Sequence, residues 1–118
     1  GRIACVVTSR GIDRLGVIDP GSGVVSTIDT PFTAFSSIAT DGEDRVAVVA
    51  GGPTTPSSVV LISANTGEME IVCRSIDVDL DSGYLSVPQP VECLTTAGRT
   101  AHAIYYAPAN RDYEAPEG

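Results

Sequence analysis

The sequence predicts an all-β chain: about two four-stranded antiparallel blades of the β-propeller kind, followed by a C-terminal β-hairpin. One unit is written twice. Arg2-Ile3-Ala4-Cys5-Val6-Val7 returns 43 residues later as Arg45-Val46-Ala47-Val48-Val49-Ala50. Leu15-Gly16-Val17-Ile18-Asp19-Pro20-Gly21-Ser22-Gly23 returns 44 residues later as Val59-Val60-Leu61-Ile62-Ser63-Ala64-Asn65-Thr66-Gly67. A period of about 40–45 residues that holds several short strands is that of a propeller blade. The apolar runs are short and punctuated by Gly, Pro, Asp and Ser, and no stretch carries a helical period. A blade buries its flat faces only against neighbouring blades, so two copies point to a piece of something larger.

The elements follow in order. Residues 2–8 are continuously apolar and β-branched and read as a buried central strand, ended by Ser9-Arg10-Gly11. Residues 14–19 form a second strand. Asp19-Pro20-Gly21-Ser22-Gly23 is a hairpin turn, since Pro fixes φ and Gly permits a positive φ. Val24 to Ile28 return as an outer strand. Phe32 to Ile38 lead into the next blade, with Ser37-Ile38-Ala39 a candidate inner strand. Asp41-Gly42-Glu43-Asp44 is a tight turn, Arg45 to Ala50 repeat the buried strand, and Gly51 to Ser58 (GGPTTPSS) read as a longer loop. Val59 to Ser63 and Met69 to Arg74 complete the second blade. The acidic run Asp77-Val78-Asp79-Leu80-Asp81-Ser82-Gly83 leaves the repeat. Pro90 to Leu94, a turn at Thr95-Thr96-Ala97-Gly98, and Arg99 to Tyr106 make a last hairpin; Thr100, His102, Ile104 and Tyr106 share one face of it. Residues 107–118 read as a polar loop cut in mid-course.

With 118 residues, 42% of them hydrophobic, the chain suits a folded domain rather than a disordered one. No apolar run approaches a membrane span, and no signal peptide is visible; the chain opens on Gly1, so the natural start is expected to lie elsewhere. A formal net charge of −8 argues against nucleic acid and against an anionic membrane as partners. Cys5, Cys73 and Cys93 are odd in number and widely spaced, with no C-x-x-C, so neither zinc nor a thioredoxin-like motif has support. Three reduced, buried thiols in a cytoplasmic protein are expected.

Ser86-Val87-Pro88-Gln89-Pro90-Val91-Glu92, followed by Thr96-Ala97-Gly98-Arg99-Thr100-Ala101-His102-Ala103-Ile104-Tyr105-Tyr106-Ala107-Pro108, resembles the junction of the prolyl oligopeptidase family of serine peptidases. That family joins a β-propeller to an α/β-hydrolase domain through a proline-bearing linker and a hairpin. The resemblance implies that residues 1–86 are the last blades of a propeller. Residues 87–118 would be the linker and first hairpin of a truncated hydrolase domain. It implies a parent peptidase of exopeptidase or oligopeptidase type, whose propeller restricts peptide access. The chain would then contact a peptide substrate only in the parent enzyme, beside the rest of the propeller and the hydrolase domain. The departure is as informative. The nucleophile elbow G-x-S-x-G with its downstream Asp and His is absent; Gly21-Ser22-Gly23 lacks the spacing and sits in a turn.

No catalytic, cofactor-binding or metal-binding residue is therefore assigned, and no cofactor is expected. His102, the single histidine, has no Cys or Ser partner nearby in sequence to define a triad and reads as a strand histidine bonded to a neighbour. Asp77, Asp79 and Asp81 suggest a calcium loop, but its sixth and twelfth positions are Ser82 and Pro88 where Gly and Glu are required. Gly51-Gly52-Pro53-Thr54-Thr55 lacks the Gly-Lys-Ser/Thr end of a phosphate cradle and reads as a blade loop, lining the propeller channel in the parent. Asp19, Asp29, Asp41, Glu43 and Asp44 are scattered turn carboxylates. Tyr84, Tyr105 and Tyr106 suit a half-wet surface between domains or packing within the chain. A free-standing propeller-like protein-binding module is the alternative function, and a hydrolase of another lineage the third. Uncovered blade faces are expected to make the chain self-associate, through strand pairing or exchange of the terminal hairpin.

Overall fold

The repeated sequence is also a repeat of hydrogen-bond register. In the computed structural model, which describes residues 1–78 and 80–114, β1 (Ile3–Ser9), β2 (Ile12–Ile18) and β3 (Val25–Thr27) form one antiparallel sheet. A second sheet contains β4 (Ala34–Thr40), β5 (Arg45–Gly52), β6 (Thr55–Ser63) and β7 (Met69–Arg74), and β8 (Pro88–Leu94) pairs with β9 (Thr100–Tyr106) as a separate hairpin. Ala4 faces Val17 as Ala47 faces Leu61, and Cys5 faces Gly16 as Val48 faces Val60. Ile18 faces Val25 as Ile62 faces Met69. The turns match as well. The Gly23 N–H donates to the Asp19 carbonyl at 2.8 Å and the Gly67 N–H to the Ser63 carbonyl at 2.9 Å, with both glycines at positive φ (70° and 74°). That left-handed conformation is open to Gly at no steric cost, which is why both turns end on it.

The all-β expectation of two antiparallel blades and a hairpin holds. Among the described residues the first blade has three strands and the second four. This changes the place of β1. It was expected to be a buried central strand, but it pairs only with β2, so it is an edge strand and its side chains are half-buried or exposed. The Gly51–Ser58 loop is corrected too. Gly51 and Gly52 belong to β5, Thr55 begins β6, and Gly52 pairs with Thr55 around a two-residue turn at Pro53-Thr54. A register shift between Ala50 and Gly52 leaves Pro56 inside a bulge, where its missing N–H costs no ladder bond.

The core lies between the two sheets. Leu15 of β2, Phe32 of the connection, and Val46, Val48, Ala50, Val60 and Ile62 of the second sheet form one buried cluster, with Ala4, Ile28, Phe35 and Ile38 at its margin. These are alternate residues on each strand, as a face of a pleated sheet requires. Fully burying each Leu, Val or Ile side chain contributes on the order of 1.5–3 kcal/mol. Asp13 ties the sheets at one end: its N–H donates to the Thr33 carbonyl at 3.0 Å, and its carboxylate accepts from Thr8 Oγ1 and the Phe35 N–H.

The opposite faces have no cover. Ile3, Cys5, Val7 and Ile18 line the outer face of the first sheet, with Arg14 at its corner. Ala47, Val49, Val59 and Leu61 line the outer face of the second, with Arg45 and Glu70 at its rim. The molecule is a flat body of 56 × 46 × 20 Å with a radius of gyration of 17.8 Å. A compact domain of this length has a radius of gyration of roughly 13.5 Å. A compact monomer of this mass exposes roughly 6,100 Å²; this chain exposes 8461 Å².

The hairpin stands off from the sheets and is clipped at its base. The connection between β7 and β8 makes one 3-10 turn at Ser82–Tyr84, where the Asp81 carboxylate accepts from the Gly83 N–H at 2.9 Å. The chain returning from β9 meets that turn again. Ser86 Oγ donates to the Ala107 carbonyl, Tyr84 donates to Asp112, and Arg111 pairs with Asp81 while lying over the Tyr84 ring. The expectation of a loop over 107–118 is met as far as residue 114; residues 115–118 lie outside the described residues.

Candidate functional site

Two turns and the C-terminal hairpin, from distant parts of the sequence, converge on one cleft of about 500 Å³. The β1–β2 turn supplies Arg10 and Gly11, both at positive φ (53° and 77°), the signature of a tight two-residue hairpin turn. The β5–β6 turn supplies Pro53 and Thr54. The hairpin closes the third side with Pro88, Pro90, Ile104 and Tyr106. Contact across the cleft is close: a Cβ placed on Gly11 would lie 2.8 Å from Ile104 Cδ1. Below the rim, Arg10 Nε stands 3.7 Å from Glu92 Oε1. The volume falls within the range of small-molecule sites.

The lining sets what the cleft can do. It offers hydroxyls from Thr33, Thr54, Ser57 and Tyr106, one cation at Arg10, and an apolar floor. It holds neither histidine nor carboxylate, so no hydroxyl there has a base to activate it. The lining offers hydrogen-bonding and apolar contacts but no group for acid–base or nucleophilic chemistry. Among the described residues no cluster of three His, Cys, Asp or Glu side chains is placed to hold a metal.

The structure disperses the sequence candidates. His102 is exposed on β9, directly opposite Glu92, with Nδ1 at 3.6 Å from Oε1 and no nucleophile beside it. Asp81 is used by the 3-10 turn and Arg111, Asp77 is exposed, and Asp79 lies outside the described residues. Thr54 reaches the cleft, whereas Thr55 is paired within β6. Tyr106 lines the cleft and Tyr84 belongs to the clip, while Tyr105 is exposed. The cysteines are free, but Cys73 and Cys93 are exposed and Cys5 is half-buried, against the expectation of burial. Cys5 sits on the uncovered outer face of the first sheet, and Cys73 lies on the outermost strand of the second.

Of the turn carboxylates, Asp19, Asp41 and Asp44 hold their turns through hydrogen bonds. Asp44 accepts from Ser63 Oγ at 2.7 Å and from the Asn65 N–H at 2.9 Å, and Arg2 approaches it at 3.7 Å. The Asp19 carboxyl is held below its ordinary 3.8 by the N–H groups of Ser22 and Gly21. The Asp41 carboxyl is held below 3.8 chiefly by the Glu43 N–H, with help from Arg45. A carboxyl with a depressed folded-state pKa stabilises the fold above its unfolded value and loses that contribution as pH falls through the folded value. Stability is thus expected to decline as pH drops below about 3.8. Asp41→Asn is expected to flatten part of the decline in urea titrations run between pH 5 and pH 2; an unchanged slope would contradict this role.

Asp13 and the cleft itself were missed from the sequence. Asp13 falls there between the Ser9-Arg10-Gly11 break and the strand expected over 14–19, and only the tertiary contact with Phe35 reveals the staple. The cleft joins two turns and a hairpin that lie far apart in the sequence, and no local motif marks them as neighbours.

No family model matches the chain, and no curated protein matches it. Solved structures do. A puromycin-hydrolyzing peptidase of Mycobacterium tuberculosis is 32% identical over 99% of this chain and 18% of its own length, with a TM-score of 0.85. A mutant puromycin hydrolase complexed with PGG is 30% identical over 98% of the chain and 17% of its own, with a TM-score of 0.84. A further puromycin hydrolase structure gives 30% identity and a TM-score of 0.81. The chain thus spans about a sixth of these proteins, and the match covers blades, connection and hairpin alike. Among the described residues, no helix is long and apolar enough to cross a membrane.

Proposed function

The chain belongs to the prolyl oligopeptidase family, and from that premise we propose that it serves a peptidase as wall and junction rather than as its chemistry. Residues 1–86 are two blades of a propeller, and residues 87–118 are the linker and first hairpin of an α/β-hydrolase domain. One observation carries this: the likeness to puromycin-hydrolyzing peptidases takes in 98–99% of the chain, blades and hairpin together. In the longer protein the uncovered sheet faces pack against further blades. A serine nucleophile outside this stretch cleaves an amide in a peptide or in a small compound such as puromycin. The propeller narrows what reaches it. The three free thiols suit a reducing compartment, so we place the protein in the cytoplasm.

The cleft lies where the blade tips meet the hairpin, so its Thr54 borders the route between the two parts. In the complete polypeptide, Thr54→Trp is expected to lower kcat/KM for peptides of six or more residues by about tenfold, the equivalent of ~1.4 kcal/mol. A one-residue chromogenic amide is expected to be turned over as before. Equal kinetics for both substrates would remove the access role. Equal loss for both would show that Thr54 supports the chemistry or the fold instead.

A further inference from the structure

Each blade has two faces, and the repeat determines which pair fits. Inside the chain, Ala4, Leu15 and Val17 of the first sheet turn toward Val46, Val48, Val60 and Ile62 of the second. Moved one repeat along the sequence, Ala4, Leu15 and Val17 become Ala47, Val59 and Leu61, which line the outer face of the second sheet. Val46, Val48, Val60 and Ile62 become Ile3, Cys5, Gly16 and Ile18 when moved one repeat back, and these line the outer face of the first. The two uncovered faces are therefore counterparts of the two already packed together. They share the same register and the same apolar character.

We propose that, as a separate polypeptide, the chain stacks head to tail on a second copy of itself. The outer face of the second sheet in one copy covers the outer face of the first sheet in the next, in the arrangement of the intramolecular pair. The chain, its stand-off hairpin included, exposes roughly 2,400 Å² more than a compact monomer of its mass, and a stable interface buries roughly 1,200–2,000 Å² in total, half from each copy. The contact is heterologous, so it repeats until a ring closes or a fibre grows. With two blades per copy, a ring of four to eight blades holds roughly two to four copies. This rests on the two sheets alone and not on the peptidase reading.

Two substitutions test it by sedimentation equilibrium. Val7→Lys places a charge on the outer face of the first sheet, and Val59→Lys on that of the second; both positions are already more than a third exposed, at 37% and 39%. The unaltered chain is expected to show at least a twofold rise in average mass over the monomer as concentration increases. Each variant alone is expected to be monomeric, because each lacks one of the two faces that meet. Mixed in equal amounts, they are expected to form a 1:1 dimer through the intact face of each. A monomeric unaltered chain overturns the proposal. So does either variant associating like the unaltered chain, which means pairing at strand edges or hairpin exchange, or a mixture that stays monomeric. Far-UV circular dichroism checks that the variants keep their strands; if a lysine unfolds one, Val7→Ser and Val59→Ser are read in the same way.

Discussion

Leu15→Ala lowers the unfolding free energy of the chain by about 3 kcal/mol, in the lower half of the range for emptying a buried leucine site. Leu15 is fully buried, with 0% exposure, and is the β2 side chain at the centre of the cluster between the sheets. Its loss forfeits the transfer free energy of the removed methyl-bearing carbons. It also leaves a cavity between two pleated surfaces that cannot close without shifting every strand. Whole domains are stable by only about 5–15 kcal/mol. This chain has a thin core for its length, so a loss of that size should move the urea midpoint strongly. Val25→Ala, on the exposed outer side of the short β3, is the control and should cost no more than about 0.5 kcal/mol. Equal effects for the two variants would mean that the sheets are not packed through Leu15.

The second large effect belongs to Gly11→Val. Gly11 has φ at 77°, where a β-branched residue is strained by on the order of 1–3 kcal/mol. The new side chain also enters the space of Ile104. Ile104 is partly exposed and can swing away, so the clash resolves by loosening the hairpin from the blade tips. The expected result is a combined loss of about 2–4 kcal/mol, with faster proteolysis within β8 and β9 than in the sheets. Gly11→Ala keeps most of the φ penalty with a smaller side chain and should fall between. If cleavage of the hairpin is unchanged in Gly11→Val, the hairpin is not held by this contact.

The blades were readable because their signals are local. Turn residues and alternating apolar positions recur at a fixed offset, and the pairing of Ala4 with Val17 and of Ala47 with Leu61 follows from that offset. What failed were the inferences about the burial and pairing of particular segments. Apolar neighbours around Cys5 and Cys73 suggested burial, but burial depends on a partner surface, and those faces have none within the chain. The composition of GGPTTPSS suggested a long loop, because neither glycine nor proline reveals that a bulge places Pro56 where no N–H is needed. β1 has the composition of a central strand and the pairing of an edge strand. The sequence singled out the loop holding Thr54, but not the cleft, since Gly11, Thr54 and Ile104 are brought together only by the fold. His102 reads in the sequence as a strand histidine bonded to a neighbour, and the structure places it on β9 opposite Glu92.

The most direct measurement is hydrolysis of puromycin and of a chromogenic aminoacyl amide by the 118-residue chain, beside the complete polypeptide to which it belongs. The expected result is turnover by the complete protein and none above buffer by the chain, even when circular dichroism shows its strands folded. Turnover by the chain alone, abolished by His102→Ala, would contradict the account.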